Sequence, residues 1–288
     1  MAVKKVKMRL QGHEKFALRE GWINKGLYIV GKSQDVFLRP DATDVFGIGS
    51  NMVKSLRYWM KAFGLIVENG SSGAQLTDIG NLILKYDPYI ENVFTLWIMH
   101  SNIVRNIENA TTWYMYFNYC DAEDLDKSEI ETILYREVSK YAMGQKFSEK
   151  SLYNDIDVLL NMYSKNKEKS DPEEKNISPF SQLSLIKNVE GNYIKKRPDK
   201  KILSEIVILY ELTNMLKDRD SISIEEAVYG INGLSKIYNL TSVMANDYLD
   251  RLDAGEYIRV DRTAGLDIIY LTKDMNDLDV IKEYYKNC

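Results

Sequence analysis

Residues 47–66 read GIGSNMVKSLRYWMKAFGLI. Val53, Leu56, Met60 and Phe63 recur at 3-4-3 spacing, which sets them on one face of a helix. Met52 and Trp59 widen that face. Ser50 or Asn51 can cap the first turn with a side-chain oxygen, and Gly64 can end the last. With the apolar face inward, the outward positions are Asn51, Lys54, Ser55, Arg57, Tyr58 and Lys61, and none is acidic. LIVEN then reads as a short strand, GSSG at 70–73 as a turn, AQLT as a second strand and DIGNLIL as the start of another helix. Apolar residues at 16, 18, 22, 23 and 27 predict a helix over residues 14–27, and Pro40 with Asp41 and Asp44 marks a loop before position 47. Helix, helix, β-hairpin is the order of a winged helix-turn-helix, with Ser71 and Ser72 at the tip of the wing.

Composition bounds what surrounds this module. The chain has 288 residues and is 45% apolar, enough for two or three domains with real cores. No apolar run approaches the length of a membrane span, and the basic start MAVKKVKMRLQGHEKF lacks the apolar stretch of a secretory signal. Two cysteines, Cys120 and Cys288, make no metal or disulfide framework. A cytoplasmic protein is expected. With only His13 and His100 as histidines, a structural zinc site has too few ligands. The net charge of −4 is uneven: residues 1–86 carry 13 Lys/Arg against 7 Asp/Glu, and residues 198–288 carry 11 against 17. A basic region on an acidic chain points to an anionic partner for that region alone.

The rest of the chain reads as mostly helical. DPYIENVFTLWIMHSNIV starts near Pro88, and ATTWYMYFNY is aromatic-dense without Lys or Arg, which suits core packing better than base stacking. SEIETILYREVSKYA, with Ser128 and Glu131 spaced as a capping box, and FSEKSLYNDIDVLLNMYS form a second helix-turn-helix pattern. KNKEKSDPEEKN at 165–176 reads as a solvated loop and NYIKKRPDKK at 192–201 as a basic linker. Beyond it, three helices and a hairpin, YIRVD and DIIYLT, repeat the winged-helix order. The expected architecture is mainly α with small β-hairpin wings: a basic winged helix over 1–86, a helical middle over 87–197 and an acidic winged helix over 198–288.

FALREGWINKGL, GIGSNMVKSLRYWMKAFGLI, LTDIG, DPYIENVFTLWIMH, ATTWYMYFN, SLYNDIDVLLNMYS and SPFSQLSLI together resemble an uncharacterised bacterial domain-of-unknown-function family, numbered four thousand and seven. The resemblance implies no established activity. It does imply proximity to DNA phosphorothioation and phage-defence genes, and hence a DNA-related role. Where the family pattern runs GxGKNMVK, this chain has Ser50 for the lysine, which removes one phosphate contact.

Lys54, Arg57 and Lys61 can neutralise phosphates, Tyr58 can bond a phosphate oxygen and Asn51 can read adenine, the inventory of a recognition helix. The wing serines would touch backbone. Duplex DNA is therefore the expected partner, with protein subunits of a modification or defence complex beside it and no membrane. The alternative is an adaptor whose winged helices dock partner subunits without touching DNA. No catalytic constellation, metal site or cofactor site is recognisable, so an enzyme is not expected. His100, in TLWIMHSN, reads as a buried structural histidine, and His13 has no nucleophile at a recognisable spacing. Asp155 and Asp157 are two apart and face different ways. On the last helical segment Asp247, Asp250 and Asp253, with Arg251 the only base, should repel phosphate.

GLYIVGKS at 26–33 satisfies the spacing of a phosphate-binding loop, but such a loop needs a strand before it and a helix after it. Here a helix precedes it, LYIV is bulky, and Pro40 cuts off any long helix behind. Lys32→Ala should therefore leave nucleotide binding and stability unchanged. Saturable ATP or GTP binding by the parent that this change abolishes would reinstate the loop.

Overall fold

The first helix begins later than its periodicity predicts. In the computed structural model, which describes residues 6–68, 70, 73–165 and 177–288, residues 11–15 form turns rather than helix. Gln11, Glu14 and Lys15 all lie in the left-handed region, at φ 55°, 48° and 65°. Such residues persist only where their surroundings hold them, and here the hold is Asp155, described below. Helix α1 (Trp22–Lys32) starts after Gly21, itself left-handed at φ 77°. It contains most of GLYIVGKS, so these backbone N–H groups serve helical hydrogen bonds and form no phosphate cradle.

The stretch expected as loop carries a 3₁₀ turn at Val36–Leu38 and a short helix, α2 (Ala42–Phe46). Helix α3 (Ser50–Ala62) follows, preceded by Gly49 at its N-cap with no side-chain capping bond, so neither Ser50 nor Asn51 is the cap. Strands β1 (Ile66–Glu68) and β2 (Ala74–Leu76) pair antiparallel. Helix α4 (Asp78–Tyr86) is capped by Thr77, whose hydroxyl accepts from the Gly80 N–H at 3.1 Å.

Helices α5 (Val93–Arg105) and α6 (Thr111–Tyr119) come next. A short strand, β3 (Asp124–Asp126), leads into α7 (Lys127–Ala142) and then α8 (Glu149–Ser164). The capping box of α7 is made by Asp126 and Glu129, two residues ahead of the Ser128–Glu131 pair, because the chain stays extended through Asp126. The expected loop at 165–176 falls, but for Lys165, outside the described residues.

Strands β4 (Ile186–Val189) and β5 (Asn192–Lys195) form a hairpin, and β5 also pairs with β3, giving the order β3-β5-β4. The first half of the expected linker is thus a central strand. Its basic residue Lys195 is held in place by a hydrogen bond to the Cys120 carbonyl and by the Tyr116 ring 5.0 Å away, an amphipathic stem with its charge accommodated.

The chain divides into two compact units, Met1–Lys196 and Arg197–Cys288. Position 86/87, expected as a domain border, lies inside the first. A column of aromatic rings runs through this unit. Trp59 of α3 meets Trp113 of α6 edge-on at 5.4 Å and stacks on Phe63 at 5.6 Å. Phe63 stacks on Phe180, and Phe180 meets Tyr163 of α8. Trp59, Trp97 and Trp113 are completely buried, as the aromatic-dense run requires. His100 is also buried and shares a 2.8 Å hydrogen bond with the Tyr163 hydroxyl.

The second unit holds α9 (Glu205–Met215), β6 (Ile222–Ser223), α10 (Ile224–Tyr229), α11 (Leu234–Ile237), α12 (Ser242–Ala254), β7 (Ile258–Asp261), β8 (Ile268–Leu271) and α13 (Asp277–Lys286), with strand order β6-β8-β7. The protein is mainly α with small antiparallel sheets of two or three strands.

One glycine decides how closely residues 9–15 approach α3. A Cβ on Gly12 would lie 2.3 Å from Cδ2 and 2.5 Å from Cε2 of the buried Tyr58 ring. Gly12→Ala should destabilise the first unit by about 1–3 kcal/mol through overpacking. A thermal melt of the full chain followed by circular dichroism would show it as a lowered first transition, whereas an unchanged melt would mean that residues 9–15 do not press on Tyr58.

Candidate nucleic-acid interface

Helix α3 is covered on two sides. Val53, Leu56 and Met60 are buried, as their periodicity predicts, but Ser55, Tyr58, Trp59 and Ala62 are buried as well. The second cover is the segment around residues 11–16. The Phe16 carbonyl accepts from the Trp59 indole N–H at 3.1 Å and from the Ser55 hydroxyl at 3.4 Å. The His13 ring stacks on Trp59, with centroids 5.6 Å apart and planes 11° from parallel, and meets Tyr58 and Trp113 edge-on.

This segment is tied down by a buried carboxylate. Asp155 of α8 accepts from the Gln11 backbone N–H at 2.7 Å, from His13 Nε2 at 2.7 Å and from the Thr112 hydroxyl at 2.8 Å. His13 Nδ1 in turn accepts from the Lys15 N–H at 3.1 Å. A ring nitrogen that accepts carries no proton, so the ring holds its single proton on Nε2 and donates it to Asp155. Asp157 faces outward and pairs with Lys127 at 2.5 Å, so the two aspartates do face different ways.

The expected outward set therefore splits. Ser55 and Tyr58 are corrections: both are buried, because a chain segment distant in sequence lies over them. Burial first, then the negative charge of Asp155, push the Tyr58 phenol well above its ordinary value against the pull of Arg9, so the side chain stays neutral. Asn51 and Lys54 are exposed, with the Lys54 ammonium 3.3 Å from Asn51 Oδ1. Arg57 and Lys61 are half-exposed, and both donate to Glu68 of β1, Lys61 at 2.8 Å. Burial alone pushes the Glu68 carboxyl up, but the hydrogen bonds and charges of Arg57 and Lys61 outweigh it and hold the group below the ordinary carboxylate range. Ser71 and Ser72 lie outside the described residues.

Sequence reasoning missed five members of this surface. Arg9, Gly12 and Glu68 join Lys54, Arg57, Tyr58 and Lys61 around one cleft of about 330 Å³, with Glu14 and Asn109 completing it. Four cationic side chains thus face two carboxylates. The basic excess over residues 1–86 was a signal for such a surface, but nothing local marked Arg9 as part of it.

The counterpart helix in the second unit differs from its expectation. Asp247 of α12 pairs with Lys200 at 2.7 Å and Arg251 at 3.1 Å, and Asp250 pairs with Arg262 at 2.8 Å. Asp253 accepts the Val260 N–H at 2.8 Å. The carboxylates of α12 are thus met by local donors instead of presenting a bare acidic face.

Among the described residues no three His, Cys, Asp or Glu side chains converge as a metal-holding group, and no helix is long and apolar enough to cross a membrane. No curated protein matches the chain. Two solved structures of SspB are similar to it. A magnesium ion-bound form shares 22% identity over 98% of this chain and 89% of SspB, with a TM-score of 0.86. A second SspB structure shares the same identity and coverage with a TM-score of 0.87. At that identity the likeness is one of fold. A profile described as "Protein of unknown function (DUF4007)" matches residues 10–285, nearly the whole length, and the chain therefore belongs to the DUF4007 family.

Proposed function

We propose that the first unit binds duplex DNA and that the protein serves as an accessory or targeting component of a bacterial DNA-modification or defence system. One observation carries this reading: Arg9, Lys54, Arg57 and Lys61 come from two separate chain segments and converge on one cleft. Cations gathered in this way neutralise phosphates and release counterions. Helix α3 with the β1–β2 hairpin is read as a winged helix-turn-helix, in which Asn51 and Lys54 approach the duplex and the cleft takes backbone. Membership of a family implied to lie beside phosphorothioation genes supports a role on DNA. No catalytic group is assigned.

Lys54→Glu together with Lys61→Glu should weaken duplex binding while the helix content survives, because Lys54 is exposed and Lys61 is at the rim. The slope of log affinity against log salt should fall by roughly 0.9 for each phosphate that the variant no longer neutralises. Fluorescence anisotropy at several salt concentrations measures both. An unchanged affinity and slope would remove DNA from the first unit.

A further inference from the structure

The cations around the cleft have more donors than the protein uses. Arg57 donates its Nε–H to Glu68, which leaves its Nη groups to the cleft, since a guanidinium carries five N–H donors. Lys61 gives one of its three to the same carboxylate, and Lys54 gives one to Asn51. The Arg9 backbone N–H is held by the Thr111 hydroxyl at 2.9 Å, and the residue lines the cleft from a separate chain segment. Glu68 is already an anion bound by two of these groups, so the cleft is built around negative charge and keeps donors in reserve.

The walls are also firm. Residues 9–14 are anchored through Gln11 and His13 to Asp155, and Gly12 lets them lie against Tyr58. The volume of about 330 Å³ is near the lower end of small-ligand sites, roughly 300–1,000 Å³. It matches one phosphate with its adjoining sugar and is too small for a duplex.

We infer that the cleft is a seat for a single phosphate group of a nucleic acid, held between Arg9 on one side and Lys54 and Arg57 on the other, with Glu68 fixing Arg57 and Lys61 and, together with Glu14, limiting affinity by its charge. The inference deepens the DNA-binding reading and rests on it. A tetrahedral phosphate offers several acceptor oxygens to a planar guanidinium fork and to ammonium point charges, which is the pairing this donor set fits. The phosphate is either a backbone diester or a terminal monoester.

The test uses the full-length chain with inorganic phosphate as probe, followed by isothermal titration at constant ionic strength. Saturable binding is expected. Arg9→Gln and Lys54→Gln, with helix content checked by circular dichroism, should each weaken it about fivefold, the effect of one partly exposed charge contact. Glu68→Gln should tighten it about fourfold, the effect of removing one nearby repulsive charge in a wet environment. Phosphate that binds no better than chloride, or binds equally to Arg9→Gln and Lys54→Gln, overturns the seat. If duplex binding persists in that case, the DNA reading stands and only the seat falls. If phosphate binds as expected while duplex does not, the seat stands and the duplex reading falls. Duplexes with 5′-phosphate and 5′-hydroxyl ends assign the source: a preference for the phosphorylated end assigns a terminal monoester, and equal binding displaced by free phosphate assigns the backbone.

Discussion

A single buried carboxylate sets the surface of the first unit. Asp155 lies on α8, yet its three acceptor bonds go to Gln11, His13 and Thr112, which lie on the segment before α1 and on α6. A buried carboxylate left without donors is costly, and hydrogen bonds to a charged group are each worth about 1.5–3 kcal/mol. That is the compensation available for holding Gln11, Glu14 and Lys15 in left-handed backbone. His13 then becomes a flat plate against Trp59, and the turn it belongs to covers one side of α3. Arg9 and Gly12 are carried to the cleft by the same constraint.

The consequence for α3 is a narrow stripe instead of a broad outer face. Asn51, Lys54, Arg57 and Lys61 remain at the surface because they recur every three or four residues along one line. From Val53 onward the residues to either side are packed, by the apolar core or by residues 11–16. A helix so confined offers few side chains to base edges but keeps a concentrated row of cations. The surface is therefore better suited to gripping phosphates than to reading sequence. Glu68 tempers the row without cancelling it, since one carboxylate meets two of its three cations.

Much of this is legible in the sequence alone. The bounds of α3, the hairpin after it, the core role of TWYMYFNY and the burial of His100 follow from local periodicity and side-chain chemistry. Beyond residue 203 the helices α9 and α12 and the β7–β8 hairpin are equally readable, but β6, the break between α10 and α11, and α13 are not. What escapes has non-local causes. Ser55 and Tyr58 look exposed on a helical wheel, and only a turn far upstream, at residues 11–16, buries them. Glu68 sits in a strand whose place opposite Arg57 and Lys61 depends on how the hairpin folds back. Asn192–Lys195 reads as a basic linker although its hairpin partner β4 stands two residues before it; what makes it a central strand is β3, far earlier in the chain. The carboxylates of α12 look repulsive in one dimension, but Lys200 and Arg262 reach them from other elements.

The central claim is that the stripe and cleft of the first unit are where DNA lies. Lysine acetylation read by mass spectrometry, on the full chain with and without a duplex, tests it directly. The account predicts that Lys54 and Lys61 lose reactivity when duplex is present while Lys217, Lys273 and Lys282 in the second unit keep theirs. Equal labelling of Lys54 and Lys61 in both states, with Lys217 and Lys273 shielded, would contradict it and place the nucleic acid on the other unit.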